Sequence, residues 1–234
     1  MIKSDITKLA NECIELYNLT FPIDLYHLCR SLDIIAIETD LDSDGYFINR
    51  NGKLFILIKK NSYSSERKRF TFAHEIGHSL LHYKSPIIKA NVNKSNFFRY
   101  GDQLGSIEKE ANLFASELLC PAWHLQRKLL YQTIDFSFIK EISNFYQISI
   151  QAAAIKCVQN SKTGNETLVF FDNYGELKWF VSLDDSLEFK DLPRNIEDVG
   201  CFFEDYYSKD LRTEEVKTKG YGTTILASGI QTMY

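Results

Sequence analysis

No apolar run in the 234 residues approaches the roughly eighteen needed to cross a bilayer as a helix, so no membrane span is expected. The start, "MIKSDITKLANECIELYN", carries charges throughout and lacks an apolar core, so no signal peptide is expected. Charge of one sign is scarce. Twenty-seven Lys and Arg against 31 Asp and Glu leave a net charge of −4, too little to draw the chain to nucleic acid or an acidic membrane. Cysteine is also sparse: five residues, at 13, 29, 120, 157 and 201, with no C-x-x-C among them. An odd, scattered set excludes a disulfide framework and a cysteine zinc site, and points to reduced thiols in the cytoplasm. None of the five has a histidine partner by local spacing, which argues against a thiol protease. Internal repeats and low-complexity tracts are missing. What remains is an ordinary globular composition, 44% hydrophobic and 25% charged, enough for one large domain or a medium and a small one.

Along the chain, Ile6, Leu9, Ala10, Cys13, Ile14 and Tyr17 recur at helical spacing and predict a helix over about 4–18. "PIDLYHLCRSL" predicts a second helix with Leu25, Leu28 and Leu32 on one side, and "DIIAIET" a short β-branched strand. "GYFINRNGKLFILI" reads as a hairpin turning at Asn51-Gly52. "SSERKRFTFAHEIGHSLLHY" opens with serine caps and keeps its apolar residues at helical spacing. Its basic start is expected to be solvated, with Arg67 or Arg69 in structural pairs. A polar loop over 84–104 separates it from "SIEKEANLFASELLCP", a helix expected to be capped at Ser106 and to end before Pro121. Residues 137–159 have helix-turn-helix proportions, joined near Gln147–Ser149. After the polar linker 160–166, "TLVFFDNYGELKWFVSL" predicts a second hairpin, "NIEDVGCFFEDYYS" a helix and "GTTILAS" a strand.

The chain has only five histidines, yet three stand within nine residues of "RFTFAHEIGHSLLH". On a helix His74 and His78 lie one turn apart on one face, the ligand spacing of H-E-x-x-H. Two core histidines with satisfied hydrogen bonds are the plainer account of the spacing. Gly77 favours more than that. It costs about 1 kcal/mol against alanine in mid-helix and suggests close approach of another backbone. A catalytic zinc takes three protein ligands and keeps one position open. His82 has turned about 80° from His74 and fits a hydrogen-bonding partner better than a third ligand. The helix after residue 106 offers Glu108, Glu110 and Glu117. Glu108 lies about 60° from the centre of its apolar stripe and Glu110 about 100°, while Glu117 points away. Glu108 is therefore best placed, although a first-turn acid favoured by the helix dipole would look the same. Small Ala111 and Ala115 would let this helix approach Gly77. Glu75, beside a ligand but aimed elsewhere, suits the general base that takes a proton from water attacking a carbonyl.

"RKRFTFAHEIGHSLLH" followed by "EKEANLFASELLCP" resembles the ImmA/IrrE family of zinc metallopeptidases. The likeness covers about residues 1–160, with Cys120 standing where the family often has methionine. It implies an α+β fold: a compact zinc-metallopeptidase domain of the gluzincin type, with a helix-turn-helix-like helical segment and a small β-rich C-terminal extension. The expected division is 1–130 for the metallopeptidase, 131–160 for the helical segment packed on it, and 161–234 for the extension. By resemblance His74, His78 and Glu108 bind Zn2+ and Glu75 is catalytic. The family's members resemble anti-repressors that cleave a helix-turn-helix repressor, which implies a protein substrate of that kind in the control of mobile-element or stress-response genes.

The alternative is a non-proteolytic regulator that binds a repressor or DNA. The second helix of the 137–159 segment, "SIQAAAIKCVQN", offers only Lys156 as a cation, so strong nucleic-acid binding is not expected. In the loop between the two motif helices, "NFFRY" at 96–100 suggests a wall or lid of a substrate cleft, with Tyr100 as an oxyanion donor; His124 is a second candidate donor.

Overall fold

The computed structural model describes residues 2–83, 101–164, 166–199, 202, 211–218 and 222–229. They form a mixed α+β protein with seven α-helices and two sheets among the described residues. The chain divides into two units, Met1–Pro121 with Phe145–Ile148, and Ala122–Asn144 with Ser149–Tyr234. No helix among the described residues is long and apolar enough to cross a membrane.

The first unit opens with α1 (Lys3–Leu16) and α2 (Leu25–Ser31), the latter capped by Asp24, whose side chain accepts from the His27 N–H. Three strands follow: β1 (Ile34–Thr39), β2 (Gly45–Arg50) and β3 (Lys53–Lys59). β2 and β3 are the expected hairpin, and Asn51 and Gly52 both carry the positive φ that its two-residue turn demands. β1 lies parallel to β3, which gives the order β1-β3-β2 and leaves β2 at an edge. Alternation sets one face inward: Ile34, Phe47, Ile56 and Ile58 are buried, while Ile35 and Ile37 are exposed.

Against this sheet lies α3 (Ser65–Leu81), in contact with β2 and β3 and burying Phe72, Ala73 and Ile76. Ser64 caps it by accepting from the Arg67 N–H. The basic start of α3 does the pairing its sequence suggests. Arg67 makes a forked contact with Asp44 at 2.7 and 2.9 Å, Lys68 reaches Glu38 at 2.6 Å, and Arg69 donates to the Ile23 carbonyl at 3.0 Å. These contacts tie the first turns of α3 to the sheet and to the segment before α2. They fix where its later turns point.

The next helix, α4 (Gly101–Leu119), packs on both α1 and α3. It begins at Gly101 and not after a cap at Ser106. The cap signal was local, whereas the helix runs through Gly105, whose added Cβ would meet nothing within 4 Å. Contact with two helices also accounts for Glu117, which helical phase aims away from the stripe but which is buried.

The second unit contains α5 (Ala122–Leu129), most of α6 (Phe136–Tyr146) and α7 (Ile150–Gln159). Gln147 turns the chain with a positive φ, and Ser149 caps α7 by accepting from Ala152. The β-rich extension is an antiparallel sheet of β4 (Glu166–Phe171), β5 (Leu177–Ser182), β6 (Leu211–Thr218) and β7 (Gly222–Gly229) in the order β5-β4-β7-β6. The β4–β5 turn is held by Asp172, whose carboxylate accepts from the N–H groups of Tyr174 and Glu176. Val169, Phe171, Leu177, Leu187, Leu192, Val199, Ile225 and Ala227 form its core. Of the helix expected over 195–208, Ile196–Asp198 form a 3-10 turn and Val199 and Phe202 are helical; residues 200, 201 and 203–208 lie outside the described residues.

Candidate metal centre

Helical spacing on α3 brings His74 and His78 together, their Nε2 atoms 2.8 Å apart. Glu108 of α4 meets both, with Oε2 3.1 Å from His74 Nε2 and Oε1 3.4 Å from His78 Nε2. One ligand atom from each residue falls within 4.8 Å of the others. Because α4 begins at Gly101, Glu108 sits two turns into the helix, and a first-turn dipole no longer accounts for it.

Close approach of α3 and α4 makes this convergence possible. A Cβ on Gly77 would lie 3.1 Å from Phe114 Cδ1 and 3.3 Å from the Ala111 carbonyl oxygen. Gly77→Leu is expected to destabilise the protein by about 1–3 kcal/mol through overpacking. Urea denaturation reads this directly, and an unchanged midpoint would contradict the tight seating of α4.

Glu75 points to a different neighbour, the edge strand β2. It is 8% exposed, and the Phe47 N–H donates to its carboxylate. Gly45 admits this approach: a Cβ there would lie 2.7 Å from Thr71 Cγ2 and 3.2 Å from Glu75 Oε1. Burial pushes the Glu75 carboxyl up from the usual carboxylate range, against the pull of His78, His74 and the Phe47 N–H. A raised carboxylate beside a cluster of ligand-type atoms has the character of a general base.

Glu108 is driven the other way. Burial disfavours its charge, but its contacts with the His74 and His78 imidazoles outweigh this and hold the carboxyl well below the usual range. For His74, burial disfavours the cation, and Glu108, Glu75 and Asn112 together overcome it and raise the imidazole above its ordinary value. The Asn112 contact is specific, with His74 Nδ1 2.8 Å from Asn112 Oδ1. When the ring is neutral and Nδ1–H donates to that oxygen, His74 Nε2 keeps its lone pair for a metal. Sequence reasoning missed Asn112, although it stands four residues after Glu108, one turn on along the same face of α4.

His82 is not part of the three-residue cluster. Its Nδ1 lies 3.0 Å from His78 Nδ1, and its Nε2 lies 3.0 Å from Glu110 Oε2. This is the hydrogen-bonding role its helical phase favours. The candidate lid at 96–100, including Tyr100, lies outside the described residues. His124 is on α5, in the second unit.

Two imidazoles and a carboxylate are a catalytic zinc donor set. On a tetrahedron with bonds of 2.0–2.1 Å, ligand atoms stand about 3.3 Å apart. The two Nε2 atoms stand 2.8 Å apart, and each has a Glu108 oxygen near that value, Oε2 at 3.1 Å from His74 and Oε1 at 3.4 Å from His78. Donor chemistry and spacing both fit a zinc ion.

Residues 29–158 match the model of the Peptidase_M78 family, described as an IrrE N-terminal-like domain. The immunity region protein 2 of Bacillus phage phi105 is 26% identical over 166 residues, which span 69% of this chain and 92% of that protein. A solved structure of a Mycobacterium tuberculosis transcriptional regulator matches with a TM-score of 0.59 at 12% identity, over 97% of this chain and 76% of the other. At that identity the likeness speaks for the fold alone.

Proposed function

The chain belongs to the Peptidase_M78, or IrrE N-terminal-like, family, and from that premise we propose that it is a zinc-dependent endopeptidase whose substrate is a helix-turn-helix transcriptional repressor. The observation that carries this reading is the convergence of His74, His78 and Glu108 beside the buried carboxylate of Glu75. In this reading those three residues hold the zinc, which when bound polarises the scissile carbonyl and acidifies water. Glu75 accepts the proton of the attacking water and later delivers it to the leaving amine. Burial of Glu75 raises its proton affinity for that double duty, and the Phe47 N–H keeps its carboxylate in place. Asn112 orients His74. A repressor as substrate draws support from the relative's description as a phage immunity region protein.

The regulator reading needs a surface that meets DNA. Lys156, the formal cation of α7, is 6% exposed, and α7 packs on β4 and β5. Few phosphate contacts are left to that helix.

Incubation with the repressor encoded nearest to it, followed by mass spectrometry, tests the proposal. One discrete internal cut is expected, lost on chelation and restored by zinc. A cut that survives chelation would overturn the metal mechanism. Submicromolar, sequence-selective binding to duplex DNA from its own locus at physiological salt would favour the regulator.

A further inference from the structure

We propose that Glu110 and His82 act as a positioning pair that fixes the tautomer of His78 and so turns its Nε2 lone pair toward the metal site. This rests on the metal-binding reading above. The three groups form one line: Glu110 Oε2 is 3.0 Å from His82 Nε2, and His82 Nδ1 is 3.0 Å from His78 Nδ1. The His78 and His82 side chains are each 6% exposed, so water has little access to take over these contacts.

The direction of the line follows from what each group can do. An ionised carboxylate only accepts, so His82 Nε2 must carry the hydrogen. A neutral imidazole carries one, which leaves His82 Nδ1 bare. Only one hydrogen fits between two ring nitrogens 3.0 Å apart, so His78 Nδ1 must supply it. His78 Nε2 is then bare, and it is the atom that faces Glu108 and His74. The opposite tautomer would set a bare His82 Nε2 against the Glu110 carboxylate and put a hydrogen where the metal belongs. Glu110 is poorly phased to be a ligand, and this is work it can do from its own face of α4. Asn112 performs the matching task for His74.

Zinc affinity, measured by competition with a chromophoric chelator, tests the pair in wild type, His82→Phe and His82→Gln. Partners of this kind are worth about 10–100-fold in metal affinity. His82→Phe is expected to lose that much, and His82→Gln to recover part of it, because the amide oxygen still accepts from His78 Nδ1–H. Nitrogen-15 spectra of histidine-labelled, zinc-free protein supply a second readout. His78 should hold the Nδ1–H tautomer in wild type and a mixture in His82→Phe, a change that mere packing would not produce. Unchanged affinity and tautomer in His82→Phe would overturn the proposal. So would complete loss of zinc, as for a missing ligand. A wild type that binds no zinc would sink the metal reading instead, while the zinc-free tautomer would still decide for or against the pair.

Discussion

Glu75→Gln is expected to lower peptide hydrolysis by at least about 10²-fold, the low end of what general acid–base groups contribute, while fold and zinc content stay as they are. Glutamine keeps the size of the side chain and retains an oxygen that can accept from the Phe47 N–H. It removes the charge and the capacity to take a proton. Burial disfavours the Glu75 charge in the folded chain, so neutralising it relieves a cost and should leave stability unchanged or slightly raised. The substitution touches none of the three converging ligand atoms. Its effect on rate therefore separates chemistry from assembly. A variant that cuts at the wild-type rate would rule out Glu75 as the base. Cells carrying Glu75→Gln should also fail to relieve repression; normal derepression with an intact repressor would show that binding, not cleavage, is the function.

Much of this site was legible because its parts obey local rules. His74 and His78 meet because four residues make about one turn, and Glu108 faces them because helical phase puts it at the rim of an apolar stripe. Gly77 advertised the approach of α4, and the structure puts the Ala111 backbone against it. Asn51-Gly52 announced the β2–β3 hairpin. What stayed hidden depends on partners distant in sequence. The parallel pairing of β1 with β3 and the insertion of β7 between β4 and β6 are not encoded in either strand alone. The contact of Glu110 with His82 stayed hidden for a related reason. Phase locates its Cα about 100° from the stripe centre, but a long side chain on a helix packed against two neighbours can still reach His82, the residue that caps the end of α3. The early start of α4 was masked by glycines, whose low propensity tertiary packing can override.

Removal of ligands should have the larger effect on metal. The wild-type chain is expected to hold about one zinc, and His74→Ala, His78→Ala and Glu108→Ala should each hold little after dialysis, because a catalytic site relies on three protein ligands. Two of the three converging side chains come from α3 and one from α4. Zinc held there would bridge the pair of helices that Gly77 lets approach, and it should stabilise the fold that presents all three. At free zinc 100-fold above its Kd the gain is about 2.7 kcal/mol, a rise in Tm of at least about 5 °C, and the ligand variants should lose that response. Glu110→Ala serves as the internal control. If Glu110 acts through His82 and not on the ion, this variant still loads fully once zinc is raised about 100-fold. Elemental analysis at low and saturating zinc, with thermal melts in parallel, distinguishes the cases. Full occupancy in a combined His74→Ala and Glu108→Ala chain would sink the assignment. Loss at saturating zinc in Glu110→Ala, with Glu108→Ala still loaded, would exchange the two carboxylates.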